Sequence, residues 1–402
     1  MLARVETWVG QTVRRLSAPS YEAAEHERLR LWVFCAIALS KIVYFLGGTW
    51  DIQWHISVGR DSLFVPPHLL AGAGFVLGCG MALLMLAYEF QLQRTGAPLQ
   101  HSVALLGVRA PLGLFVILLG YASAAVAIAL DDAWHRAFGL DARLWSPPHI
   151  YLMASTAVVD VGLLLGLTAA ARNLRLPFSL RSGWCWAFVL ASANLFDAAH
   201  FANGEAFLVG FQNPGPGLVG LLFPLLLGVL LPLPMLLLVG LAGRFWVLAP
   251  AIVLVIGMQY LGTAFGELSF AVLRPVSQLE EFLRTTPNTT IGITRDFAAR
   301  NGYALIGLQQ AWTMWLSLPP LLLVAMLDLW PWARRNRLIA APIYSVVMLL
   351  VCAAVFPFTP ALANYGTTPL ALLLAVLIAV PGGLALGAAG LAIARLAPQP
   401  KA

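Results

Sequence analysis

Apolar residues fall in blocks of about 20 along this chain, the length that crosses a bilayer as a helix. Short polar stretches rich in arginine, proline and glycine separate them. The blocks predict about ten spanning helices, at roughly 30–50, 69–90, 110–130, 148–171, 183–203, 217–242, 245–266, 304–328, 338–357 and 369–395. Ahead of them, Val5, Trp8, Val9, Val13 and Leu16 recur at helical spacing beside Arg14 and Arg15. That pattern predicts an N-terminal interfacial helix within residues 1–28. The expected fold class is an all-α polytopic membrane helical bundle. Residues 29–203 hold nearly all the candidate chemistry, and residues 204–402 read as a transmembrane scaffold.

Composition excludes the soluble alternative. The chain is 60% hydrophobic and 10% charged, too few charges to cover a soluble surface of 402 residues. The net charge of +6 therefore reflects arginines at a membrane surface, with the lipid bilayer as partner and no nucleic acid. With a cytoplasmic N-terminus, 16 of the 24 Lys and Arg fall in inner segments and seven in outer ones, with Lys41 inside the first span. The bias predicts both termini on the cytoplasmic side of a bacterial inner membrane. No short apolar core with a cleavage site opens the chain, so no signal peptide is expected. Cys35, Cys79, Cys185 and Cys352 sit in separate apolar blocks without a CxxC spacing, which argues against disulfides and thiolate metal sites.

Against this background one polar pattern occurs twice. Asp51, Trp54, His55, Gly59, Asp61, Pro66, Pro67 and His68 repeat as Asp131, Trp134, His135, Gly139, Asp141, Pro147, Pro148 and His149. Four of the seven histidines lie in these two windows. Both join an odd span to the next even one, so both fall on the outer side. The order implies parallel hairpin repeats.

The spacing suggests chemistry. Asp51 and His55, like Asp131 and His135, are four apart, which puts each pair on one helix face. Pro-Pro at a helix start then presents His68 or His149 from the next span. One carboxylate and two imidazoles make a three-donor metal site with open positions, suited to copper, iron or zinc. Asp61 and Asp141 are placed to orient a ligating imidazole, and Arg60 to pair with Asp61 or Asp51. On the fifth span, Asn194, Asp197, His200 and Asn203 form a further polar stripe near the same end. Asp197 and His200 are supporting candidates there. The plain reading of all these residues is solvated helix ends; for His26 and His101, in inner loops, that reading is preferred.

The first window, with Asp51, Trp54, His55, Arg60, Asp61, Ser62, Phe64, Pro66 and His68, resembles the metal-binding stretch of a membrane-embedded subunit of the copper membrane monooxygenases. These are the ammonia and particulate methane monooxygenases. The resemblance covers roughly residues 1–200. It implies copper at Asp51, His55 and His68, with catalysis there. The family's second site uses Asn, His and His; Asp131, His135 and His149 match its spacing, with Asp in the place of Asn. The chain differs in its additional spans and holds no cupredoxin-like region, which the family carries on a separate polypeptide.

The function so implied is a copper-dependent membrane monooxygenase or its metal-bearing subunit, activating O₂ to oxidise a small apolar substrate. Partner subunits or further copies of the chain would complete it. Two alternatives stand beside it: a copper-handling transporter or assembly protein, and a structural or sensory protein without metal. Scattered methionines and the lack of thiolate pairs disfavour Cu(I) transport.

Overall fold

The computed structural model describes residues 22–59, 64–138, 145–212, 217–285, 308–358 and 367–398, with a few isolated positions between 289 and 300. The N-terminal half forms α1 (Ala23–Ser57), α2 (Pro66–Arg94), α3 (Leu112–Phe138), α4 (Pro147–Asn173) and α5 (Gly183–Gln212). The C-terminal half forms α6 (Leu222–Leu230), α7 (Pro232–Ala242), α8 (Leu248–Leu273), α9 (Leu279–Thr285), α10 (Leu308–Ala325), α11 (Pro331–Arg335), α12 (Ala340–Val355) and α13 (Pro369–Ala394). The only strands among the described residues, β1 (Val103–Leu105) and β2 (Val108–Ala110), pair antiparallel between α2 and α3.

The protein is an all-α polytopic membrane bundle. Among the described residues nine helical segments are long and apolar enough to cross a bilayer. Many of their large apolar side chains point outward, among them Leu39, Val76, Leu84, Val253 and Leu377. Such a surface is stable only against lipid. The span expected at 304–328 is represented by α10 and a 3₁₀ turn to Leu329, with a shorter apolar stretch, Met314–Leu329; residues 301–307 lie outside the described residues. Of the segment 1–28 expected to lie in the interface, residues 1–21 are likewise outside. Its last six residues belong to α1, which runs unbroken from Ala23 into the membrane.

Helices α1 and α2 pack as one hairpin, α3 and α4 as a second. Backbones touch at equivalent points. A Cβ on Gly74 of α2 would lie 2.9 Å from the Ser40 carbonyl oxygen of α1. A Cβ on Gly120 of α3 would lie 2.9 Å from the Ser155 carbonyl oxygen of α4. Ser40 and Gly120 correspond in the repeat, as do Gly74 and Ser155. The close contact is kept and the glycine has changed helix. Helix α5 packs on α1 and α4 and also on α6 and α8, so one core runs through both halves.

Two polar devices hold the bundle. On the side of the bundle away from the repeated windows, Arg30 donates to Glu89 at 2.7 and 2.9 Å, to Glu27 at 2.6 Å and to the Gln100 carbonyl at 2.9 Å. His26 lies 3.0 Å from Glu89, and Asn173 donates to Glu27 at 3.1 Å. Buried charges are tolerated here because each is multiply paired. His26, expected to be plainly solvated, is part of this knot. The second device serves the span expected at 217–242, which is divided at Leu231 by Pro232. Proline has no N–H for the carbonyl four residues back, that of Gly228. The Ser345 hydroxyl of α12 lies 2.7 Å from that oxygen instead.

This predicts a coupled pair of substitutions. Ser345→Ala should lower stability in detergent by about 1–3 kcal/mol, the cost of an unmatched buried carbonyl. In a Pro232→Ala background the same change should cost clearly less, because the helix then supplies its own donor. Equal losses in the two backgrounds, by thermal unfolding, would refute the assignment.

Candidate metal centre

Helix α1 stays helical to Ser57, so Asp51 and His55 do share a face. After the turn, Pro66 and Pro67 occupy the first positions of α2 and set the angle at which His68 enters. His68 Nε2 then lies 3.1 Å from one Asp51 oxygen, and His55 Nε2 lies 3.7 Å from the other. In the second hairpin Asp131 and His135 end α3, and Pro147–Pro148 begin α4. His149 Nε2 lies 3.3 Å from one Asp131 oxygen and His135 Nε2 lies 3.5 Å from the other.

Each trio offers three donor atoms within 4.8 Å of one another. Two donors held about 2.1 Å from a common ion at roughly tetrahedral or square angles stand about 3.0–3.4 Å apart. The His68 and His149 separations fall in that range; His55 and His135, each beside the other oxygen of its carboxylate, stand slightly wider. All six side chains are partly shielded, none more than 23% exposed. A carboxylate between two imidazoles also supplies the charge that offsets a cation in a weakly polar setting.

The trios are neighbours. The rings of His55 and His135 stack with centroids 6.2 Å apart and planes 19° from parallel. Within the trios, His55–His68 and His135–His149 are 6.2 and 6.1 Å apart, at 51° and 54°. The near-identical geometry, with the stacked pair between, describes an approximate two-fold relation that brings both trios to one end of the bundle.

The support around them is not symmetric. Trp50 and Trp54 are buried against Phe265 and Phe270 of α8, Trp54 stacking on Phe270 at 6.1 Å. The Gln278 backbone N–H donates to the Val58 carbonyl at 2.8 Å, tying the chain after α8 to the end of α1. The second trio is braced by α5 instead. Trp145 donates through its indole to the Ala202 carbonyl at 2.6 Å, and its backbone N–H donates to the buried Glu205 carboxylate at 2.5 Å. Glu205 and Trp145 stand outside the repeated pattern, so the sequence marked neither; a second acid beside Asp197 in an apolar helix was the available signal.

Other sequence candidates go elsewhere. Asp197 accepts from Gln259 of α8. His200 lies 2.8 Å from the Ser317 hydroxyl of α10 and 3.1 Å from the Phe196 carbonyl. Neither belongs to a trio. Arg60, Asp61 and Asp141 lie outside the described residues. An open apolar groove of about 560 Å³ runs beside the first trio, lined by Trp50, Pro66, Leu69, Leu70, Phe265 and Leu268 among others.

Compared with protein-family models, with curated proteins and with solved structures, the chain matches none. The functional reading therefore rests on its own residues.

The stacked histidines require both helix turns on one side of the membrane. Single cysteines replacing Ser57 and Trp145 should react with a membrane-impermeant maleimide from the same side of sealed vesicles. Labelling from opposite sides would break the site apart.

Proposed function

We propose that this chain is an integral membrane metal protein that holds copper at Asp51, His55 and His68 and a second ion at Asp131, His135 and His149. The duplicated trio geometry carries the reading. Solvated helix ends have no reason to bring a carboxylate and two imidazoles to the same separations twice. Iron and zinc compete for the same donors. The activity proposed is that of the copper membrane monooxygenases, which the first window resembles: oxidation of a small apolar molecule with O₂, by this chain alone or as a metal-bearing subunit.

Copper, when bound, would supply O₂ binding and one-electron chemistry. The chain's own residues do the rest. Asp51 offsets the cation charge and orients both imidazoles of its trio. Trp50 and Trp54, clamped by α8, exclude water from one flank. The apolar groove along Trp50, Pro66 and Leu69 gives a lipid-dissolved substrate a path to that flank. The arginine asymmetry orients the trios toward the outer side with both termini cytoplasmic.

Metal analysis of purified protein tests this. Wild type should retain one equivalent at each trio. His55→Ala or His68→Ala should remove most of the first, weakening it by more than the roughly 10–100-fold that losing a supporting hydrogen bond costs. His135→Ala or His149→Ala should remove the second and leave the first. Asp131→Asn should be the mildest change, because the amide oxygen still offers a donor. Wild type retaining no copper, iron or zinc above a His55→Ala/His135→Ala control would end the metal reading. Sidedness has its own check: the Ser57 cysteine should label from outside in oriented cells, and cytoplasmic labelling would invert the topology.

A further inference from the structure

The two hairpins begin their second helix in different ways. In each, the residue two places before the Pro-Pro pair is aromatic, Phe64 before α2 and Trp145 before α4. Phe64 is 76% exposed, while its neighbour Val65 is buried in a cluster with Trp50, Trp54 and Val58. Apolar packing therefore holds the start of α2. Trp145 is held instead by hydrogen bonds to another helix.

Those bonds come as a pair. The Trp145 backbone N–H donates to the Glu205 carboxylate at 2.5 Å, and its indole N–H donates to the Ala202 carbonyl at 2.6 Å. Ala202 and Glu205 are three apart on α5 and share one face. Two points of attachment restrain both the position and the rotation of Trp145. Glu205 is only 3% exposed. A carboxyl removed from water is costly unless hydrogen bonds meet it, and the Trp145 N–H is one that does.

Local sequence gives the start of α4 little support. Pro147 and Pro148 have no N–H to be capped. Among the described residues, Ser146 at the N-cap position makes no side-chain capping bond, and its hydroxyl is buried without a partner. His149 follows Trp145 by one helix turn, so what fixes Trp145 also fixes where His149 begins. Asp131 and His135, the other members of the trio, belong to α3. Helix α5 packs on α4. Its hold thus reaches the second trio through a single donor, the His149 imidazole 3.3 Å from Asp131.

We propose that Glu205 is a positioning residue for the second trio. By holding the Trp145 N–H it sets the start of α4, and with it the place of His149 beside Asp131. The first trio, whose second helix starts from apolar packing, is independent of Glu205. The consequence for a bound ion rests on the function proposed above; the hold on Trp145 does not.

The test uses the full chain in lipid nanodiscs, with Cu(II) as the probe. In a His68→Ala background the second site stands alone. There Glu205→Ala should weaken copper binding about ten-fold or more. The copper spectrum in electron paramagnetic resonance should lose the coupling of one imidazole nitrogen and keep the other, because His135 stays in place on α3. Glu205→Gln, which keeps an acceptor oxygen at the same reach, should restore both affinity and coupling. In a His149→Ala background Glu205→Ala should leave the first site within roughly two-fold, which also shows that the bundle is folded. Without metal, hydrogen exchange at the Trp145 amide should be about ten-fold or more faster in Glu205→Ala and slow again in Glu205→Gln. Equal weakening of both sites, loss of both nitrogen couplings, a Gln variant no better than Ala, or unchanged amide exchange would each overturn the proposal. If wild type holds no copper, the metal reading fails by itself, and the amide exchange of the metal-free protein still decides whether Glu205 fixes the start of α4.

Discussion

Backbone contact within the two helical hairpins governs what the rest of the molecule can do. Where Gly74 meets Ser40, and Gly120 meets Ser155, no side chain separates the helices. Lipid offers no hydrophobic drive between helices, so such close approach is where their attraction comes from. It also fixes distance. With α1 and α2 locked together several turns below, the Pro-Pro entry of α2 has little freedom. His68 must arrive beside Asp51, and by the same geometry His149 beside Asp131. The stacking of His55 on His135 then follows from setting the two hairpins side by side.

On this nearly symmetric frame the surroundings diverge. One trio leans on aromatic residues of α8, the other on α5 through Trp145 and Glu205. Lys41 faces Asp160 across the frame, while its counterpart Tyr121 faces Gly78 and Ser40. A buried ion pair seldom adds much stability, because desolvation consumes most of the attraction. It occurs on one side of the frame alone, so the two hairpins are not equivalent despite similar ligand geometry. The C-terminal half supplies α8 and α10 to this environment and satisfies its own broken helix through Ser345.

The bundle was legible because lipid enforces it. Every backbone group in the hydrocarbon needs an internal partner, so a run of about 20 apolar residues has one stable form. The trios were legible because i,i+4 spacing and a Pro-Pro helix start are local rules, and their duplication at Asp51 and Asp131 lifted them above isolated polar residues. Asp197 and His200 read as supporting candidates because their polar stripe lies near the same end, yet their partners, Gln259 and Ser317, come from distant helices. His26 looked like a loop residue and proved to be tied to Glu89.

Local rules thus determined which residues are helical, where the chain crosses the membrane and which Asp and His share a helix face. Only tertiary structure decided that the two trios touch, that Lys41 finds Asp160, and that Gly228 borrows the hydroxyl of Ser345. The reason is physical. Backbone hydrogen bonding and burial in lipid act within a segment and leave their mark on its composition. Contact between helices depends on which small residue allows which backbones to meet, and one glycine at position 74 or 120 looks the same in sequence as the many that face open space.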